Sequence, residues 1–307
     1  MRGAVIAGAT GMLGRALTEN LVDHETRVLL LVNPSSQRLD GLLQHPLVTI
    51  YPCSLDALHS LNEANKGQWD TFFHLAWGGT FGMSRNGITA QEANIRFSLD
   101  AVEAARRLGC HCFVGAGSQA EYGRVEGVLH PDTPTNPENG YGIAKLAAGQ
   151  MTRLLCRQFG MRHVWARILS VYGPNDGTAT MVSSALRSFL EGERPCFTPG
   201  EQLWDYLYRD DAAEALQLLG ERGRDGAIYP VGSGVARPLK EYVEILRDAV
   251  DSRLEVGLGE VAYGPKQVMH LCADISFLQR DVGFEPRVSF EEGVRRTLEW
   301  MRASTEA

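Results

Sequence analysis

Tyr141 and Lys145 stand four residues apart in Tyr141-Gly-Ile-Ala-Lys145. On a helix, positions i and i+4 share a face, so a phenol and an ammonium at this spacing point into one site. A free tyrosine, with a pKa of about 10, is a poor base at neutral pH. A fixed cation beside it favours the phenolate. A tyrosine so tuned can give or take a proton while a hydride moves elsewhere. The pair alone is weak evidence, because a Tyr and a Lys at this spacing are common on solvated helices. What the rest of the chain places around it decides the matter.

A second chemical signal stands near the N-terminus. Gly8-Ala-Thr-Gly11-Met-Leu-Gly14 follows an apolar run and opens a helical pattern. Small residues let the backbone approach a pyrophosphate, and the helix start offers unpaired N–H groups at its positive end. Placed between a strand and a helix, the loop is a strong dinucleotide signal. After the second strand the chain reads Leu31-Val32-Asn33-Pro34-Ser35-Ser36-Gln37-Arg38, with no acid until Asp40. An acid there would bind a ribose 2′-hydroxyl, whereas its absence beside an Arg admits a 2′-phosphate. Asn33, Ser35, Ser36 and Arg38 therefore favour NADP(H), with NAD(H) as the alternative. The competing reading makes Ser35 or Ser36 the cap of a following helix.

The elements that must position these groups are legible as short apolar runs alternating with helical patterns. Strands are expected at 3–8, 27–32, 47–51, 71–76, 111–116 and 162–169, and helices at 12–23, 89–108 and from 141 to about 159. Such alternation implies a parallel sheet covered on both faces. After Gly173-Pro174 the rhythm loosens. A helix is expected at 179–190; Asp211-Ala-Ala-Glu214 reads as a capping box opening another, and Ser289-Phe-Glu-Glu292 as one before a last helix ending near 301. The expected fold is α/β: a Rossmann-like doubly wound parallel sheet at 1–172, and a smaller substrate-binding lobe over most of 173–307, with some segments returning to the first domain.

Bulk properties narrow the partners. At 307 residues the chain can bury a large core. Its formal net charge of −7 and lack of a dense Lys/Arg run argue against a nucleic-acid surface. They leave room for a small anionic ligand held by backbone amides. No apolar stretch approaches the roughly 20 residues of a membrane span, and the N-terminus lacks a signal-peptide layout. The cysteines Cys53, Cys110, Cys112, Cys156, Cys196 and Cys272 are scattered in apolar segments. They read as core thiols in a reducing cytoplasm, with no metal site, because their spacing is not that of a zinc site.

The glycine loop, the Tyr-x-x-x-Lys pair and Ser118, 23 residues before Tyr141, together resemble the extended short-chain dehydrogenase/reductase family, and within it the nucleotide-sugar epimerases, dehydratases and 4-ketoreductases. Phe73-His-Leu-Ala76, Glu92-Ala-Asn94, Ser118-Gln-Ala-Glu-Tyr-Gly123, Val171-Tyr-Gly-Pro174, Trp204-Asp-Tyr206, Arg209-Asp-Asp211, Asp274-Ile-Ser and Thr297-Leu-Glu-Trp300 fall in the family's order, so the resemblance covers nearly the whole chain. It implies that Tyr141 exchanges a proton with a sugar oxygen, that Lys145 binds the nicotinamide ribose and lowers the Tyr141 pKa, and that Ser118 holds the same oxygen. It further implies a cofactor site of Gly8, Thr10, Gly11, Met12, Leu13, Asn33, Ser35, Arg38, Ser54, Leu55, Leu75, Ala76, Trp77, Asn94, Tyr141, Lys145 and Ile168. The implied substrate contacts are Ser118, Gln119, Ser170, Trp204 and Arg237, with Arg194 as a further candidate. His74 is expected to be a packed strand-end histidine and Trp77 a pocket wall.

Departures from the family narrow the reaction. Its dehydratases carry an Asp-Glu pair directly after the Ser/Thr position to remove water. Here Gln119 and Ala120 stand there, and Glu121, one place on, is expected to face elsewhere. Trp204 replaces an Arg that many relatives place before Asp-Tyr/Phe, and Ser170 replaces an Asn. The reading that results is an NAD(P)-dependent oxidoreductase acting at C4 of a nucleotide-diphosphate sugar, foremost a 4-ketoreductase. The alternatives are an NAD-dependent 4-epimerase or a non-catalytic dinucleotide-binding sensor or scaffold. A homodimer through the helices containing 95–108 and 141–159 is implied as well.

Overall fold

Strands buried on both faces carry unbroken apolar runs instead of alternating ones, and that is how the first half of this chain folds. The computed structural model describes residues 1–61 and 69–305. Its first part runs β1 (Gly3–Ala7), α1 (Met12–Asp23), β2 (Arg27–Val32), β3 (Val48–Pro52), β4 (Thr71–His74), α2 (Ile88–Leu108), β5 (Cys112–Ser118), α3 (Gly140–Gln158) and β6 (Arg162–Ile168). Every residue of β1, β4 and β5 is buried, whereas β3, at the sheet edge, is mostly exposed. The chain continues through β7 (Ser170–Tyr172), α4 (Met181–Leu190), β8 (Leu203–Trp204), β9 (Tyr206–Tyr208), α5 (Arg209–Arg222), β10 (Ala227–Val231), β11 (Arg237–Pro238), α6 (Leu239–Val250), α7 (Ser276–Val282) and α8 (Phe290–Thr305).

Seven parallel strands form the main sheet in the order β10-β6-β5-β4-β1-β2-β3. The direction of winding reverses between β1 and β4, and in such sheets a crevice opens there at the carboxyl ends of the strands. The α/β doubly wound sheet expected from the sequence is therefore present. One face packs on α1, α5 and α7 through Leu17, Phe73, Leu216 and Phe284; the other packs on α2 and α3 through Phe72, Val102, Phe113 and Cys156. A separate aromatic core of Tyr172, Tyr208, Tyr242 and Phe290 holds α4, α6 and α8 together beside the carboxyl ends.

Three details depart from the sequence reading. Asp211 does not open a helix: α5 begins two residues earlier, directly from β9, and the Asp211 carboxylate instead accepts backbone N–H bonds from Arg287 (3.1 Å) and Val288 (2.9 Å). Cys196 is exposed, unlike the other five thiols, and all six are free. β4 ends at His74, because beyond it the chain bends past Gly8. Ser289 does cap the last helix, its Oγ accepting the Glu292 N–H at 3.2 Å.

Candidate active site

The glycine loop turns β1 into α1 at the crevice. Gly8 has φ +97°, and a Cβ there would stand 2.6 Å from the Ala76 nitrogen. The φ favours glycine, and the close approach of the Ala76 backbone excludes a side chain. Gly11 caps α1 without a side-chain bond to the first helical N–H groups, leaving them to an anion. Arg15, one turn into α1, is buried and reaches across to the segment after β2. Its guanidinium donates to the carbonyls of Arg38 and Asp40, both at 2.7 Å, and to that of Gly41. That clamp sets the backbone from which Arg38 projects. The cradle fits a dinucleotide: a space a Cβ would fill, a bare helix start and an arginine at the far end.

Two adjoining cavities of about 480 and 530 Å³ run from this loop. The first is lined by Gly8, Thr10, Gly11, Asn33, Arg38, Ser54, Leu55, Leu75, Ala76 and Trp77. The second shares Gly8, Gly11, Arg38, Leu75 and Trp77, and adds Met12, Leu13, Ser118, Gln119, Tyr141, Lys145, Ile168, Ser170 and Trp204. All but four of the cofactor and substrate residues expected from the sequence thus line one continuous cleft. Ser35 is exposed outside it, its N–H on Asn33 Oδ1 at 3.0 Å. Asn94 lies buried behind it, bonding both the N–H and the carbonyl of Gly78. Arg237 pairs with Trp204 as a β11–β8 bridge, and its guanidinium goes to Glu291 at 2.9 Å. Arg194 likewise lines neither cavity and bonds Glu260.

Ser118, Tyr141 and Lys145 together line the second cavity. Ser118 is the last residue of β5, and Tyr141 and Lys145 are on the first turns of α3, whose start is capped by Asn139 Oδ1 on the Gly142 N–H at 2.8 Å. Lys145 is buried; its Nζ donates to the Ala116 carbonyl at 2.6 Å and lies 3.8 Å from the centre of the Trp77 ring. Burial lowers its pKa to about 7, against the pull of Glu121. Trp77 is held by its own bond from Nε1 to Gln91 Oε1 at 2.9 Å and meets Tyr141 edge-on.

The tyrosine departs from the expectation drawn for it. Burial raises its pKa; a hydrogen bond with Ser118 and the charge of Arg85 work against that rise, while Glu121 adds to it. The cation stacked on its ring is Arg85, 4.4 Å from the ring centre, with Lys145 at 5.8 Å. Burial thus favours the neutral phenol of Tyr141 over the phenolate. His74 is buried, bonds Ser98 at 3.2 Å through Nε2, and is pushed down to about 3 by burial and Lys145.

Sequence reasoning missed Arg85, Phe81, Asn175, Asp176 and Thr180, which line the same cleft. Asp176 is held by Thr180 Oγ1 and the Gly177 N–H, both at 2.7 Å. Gly173-Pro-Asn-Asp-Gly177 is a turn signature that marks this loop, and Asn175 takes φ +67°, a conformation asparagine tolerates. Nothing local marks Arg85.

The model of the NAD dependent epimerase/dehydratase family matches residues 4–232, from β1 through the last strand of the main sheet. The chain belongs to this family. Among curated members, the dTDP-glucose 4,6-dehydratase of Streptomyces griseus is 27% identical over 213 residues, covering 67% of this chain and 63% of that protein. That of Escherichia coli is 27% identical over 176 residues, covering 55% and 49%. The chain thus spans less than two-thirds of the length of these relatives. The family fold extends over the whole chain in solved structures. The UDP-N-acetylglucosamine 4-epimerase of Methanobrevibacter ruminantium M1, in complex with UDP-N-acetylmuramic acid, superposes with a TM-score of 0.88 at 24% identity over 99% of both chains. RMD of Pseudomonas aeruginosa, complexed with NADPH, superposes at 0.82 with 20% identity over 99% and 100%. Among the described residues no helix is long and apolar enough to cross a membrane.

Proposed function

We propose that this chain is a 4-ketoreductase of nucleotide-diphosphate sugars that uses NADPH. The observation that carries the reading is that Ser118, Tyr141 and Lys145 line a cleft continuous with the glycine cradle. Reduced nicotinamide, when bound, supplies the hydride. Tyr141, kept protonated by burial, gives its proton to the sugar oxygen as the carbonyl is reduced. Ser118 donates a hydrogen bond to the same oxygen and places it, and Lys145 holds the cofactor ribose. A protonated tyrosine suits reduction, in which it is an acid, better than alcohol oxidation, in which it must first be a base.

Gln119 and Ala120 carry no group that can remove water, so dehydration, the activity named for the curated relatives, is not assigned to this chain. Trp204, its Nε1 on Ser170 Oγ at 2.8 Å, forms a neutral wall for the nucleotide end of the substrate. Arg38 at the end of the cradle, with no acid on β2, supports NADPH over NADH. The closest alternative is a 4-epimerase with retained NAD, which rests on the same three residues and on the family's name. Exposed Ile143, Met151 and Leu154 on α3 support a homodimer through α2 and α3, and six free thiols support a cytoplasmic setting.

The test is direct. A dTDP-4-keto-6-deoxy sugar, generated from dTDP-glucose by a separate dehydratase, is offered with NADPH, and oxidation is followed at 340 nm. Turnover abolished in Tyr141→Phe is the expected result. NAD released on denaturation, with UDP- or dTDP-sugar epimers formed and no need for added NADPH, would replace the reductase by the epimerase.

A further inference from the structure

Directly behind Ser118 lies a buried ion pair that the reaction does not touch. Glu121 is 0% exposed and Arg167 3%. Arg167 Nε donates to Glu121 Oε2 at 2.7 Å, and the guanidinium stacks 4.3 Å from the Tyr122 ring. Glu121 Oε1 accepts the Ser118 N–H at 2.8 Å, and the Trp165 Nε1–H reaches both carboxylate oxygens, at 3.0 and 3.2 Å. Three donors from two strands therefore converge on one carboxylate.

The space for this arrangement is made by glycines. Side chains at Gly115 and Gly117 of β5 would overlap the Trp165 ring, and one at Gly149 of α3 would stand 2.6 Å from it. A Cβ on Gly117 would also lie 2.6 Å from Glu121 Oε1. A buried ion pair is a weak source of stability, and apolar residues of like volume often do as well. So elaborate a seat for a carboxylate calls for another reason.

The Ser118 hydroxyl supplies one. Its oxygen accepts the Ala120 N–H at 3.2 Å while its amide is held by Glu121, the two halves of a capping box. An oxygen engaged as acceptor on that side keeps its own proton for the other side, where Tyr141 lies within hydrogen-bond reach. We infer that Glu121, clamped by Arg167 and Trp165, is a positioning residue that fixes the Ser118 backbone and aims its hydroxyl proton at Tyr141 and the substrate oxygen. The inference rests on the catalytic reading of Ser118 given above.

The 307-residue chain is labelled with ¹⁵N-serine, and the Ser118 amide is identified by its loss in Ser118→Ala. Glu121→Leu/Arg167→Leu removes the acceptor without leaving an unpaired ion; the Ser118 and Trp165 N–H groups lose their partner, so a native far-UV circular dichroism spectrum is required before the kinetics are compared. The expected result is an upfield move of the Ser118 amide and a kcat for the NADPH-dependent keto-sugar reduction lowered roughly 10²-fold, as for other donors aimed at a developing charge, with KM little changed. Adding Ser118→Ala to the pair should cost no more than Ser118→Ala alone. A role confined to stability predicts a lowered Tm with wild-type kcat. That result, an unmoved amide, or losses that multiply would overturn the inference. If Ser118→Ala itself turns over normally, the catalytic reading of Ser118 fails, and the amide still decides whether Glu121 places it.

Discussion

Burial holds the Lys145 ammonium back, and the Trp77 ring lying over Nζ is the part of that enclosure whose removal tests it. The drop of the Lys145 pKa from 10.5 to about 7 corresponds to about 5 kcal/mol of lost preference for the ammonium, at about 1.36 kcal/mol per unit. The indole acts in two opposed ways. Its face, 3.8 Å from Nζ, stabilises the cation by about 2 kcal/mol in a desolvated site. Its bulk excludes the water of the two cavities it lines. In Trp77→Ala the first is lost and the second penalty is relieved. If the whole burial penalty were relieved, hydration would win by at most about 3 kcal/mol, so the pKa should rise, by up to roughly two units.

The chain has four lysines, Lys66, Lys145, Lys240 and Lys266, so ¹³Cε-lysine labelling yields a spectrum simple enough to titrate residue by residue. The linkage follows with a definite sign. From about pH 7 to 10.5 the unfolded chain holds the Lys145 proton and the folded chain does not, so this group favours folding increasingly as pH rises through that window. Trp77→Ala should flatten that rise. A wild-type Lys145 titrating at 10.5, or a Trp77→Ala signal that stays at about 7 or falls, would refute the reasoning.

Other outcomes follow from the same geometry. Gly117→Ala should lose about 1–3 kcal/mol in urea denaturation, because its Cβ meets both Trp165 and Glu121. Arg38→Ala should weaken NADPH about 10–100-fold, the worth of one charge-assisted hydrogen bond of roughly 1.5–3 kcal/mol, and leave NADH binding nearly unchanged in fluorescence titrations. Burial and Arg153 hold His163 down to about 4, so the unfolded chain takes up a proton first as pH falls through 6.5. Stability contributed by the neutral ring is then lost between pH 6.5 and 4, and His163→Phe, stacked as the imidazole is between Phe113 and Trp165, should lessen the acid slope in pH-dependent unfolding.

The sheet and the glycine loop were legible because their signals are local: unbroken apolar runs, a bare helix start and a turn that tolerates no side chain. Ser118, Tyr141 and Lys145 were legible as types at a spacing, but their electrostatics were not. Lys145 turns to the Ala116 carbonyl and the Trp77 face, and Arg85 takes the place over Tyr141. That exchange depends on a short helix at Gly82–Asn86 that carries no periodic pattern. Glu121 finds its partners 44 and 46 residues further along the chain, a distance no motif spans. Asp211 misled because its neighbours fit a capping box, while a strand feeding straight into α5 moved the helix start upstream.

The strand β10 has a consequence for how the protein is made. It pairs with β6 from Ala227↔Val164 to Val231↔Ile168, and α5, just before it, packs Gly220 against Phe73 of β4 with no room for a Cβ. On the ribosome, the first six strands must therefore wait, with the β6 margin unpaired and one face of β4 uncovered, until residue 231 has emerged. Unpaired strand margins are where nascent chains associate wrongly. A fragment ending at residue 172 should be sticky and poorly soluble, whereas one ending after β10 should already retain the cradle.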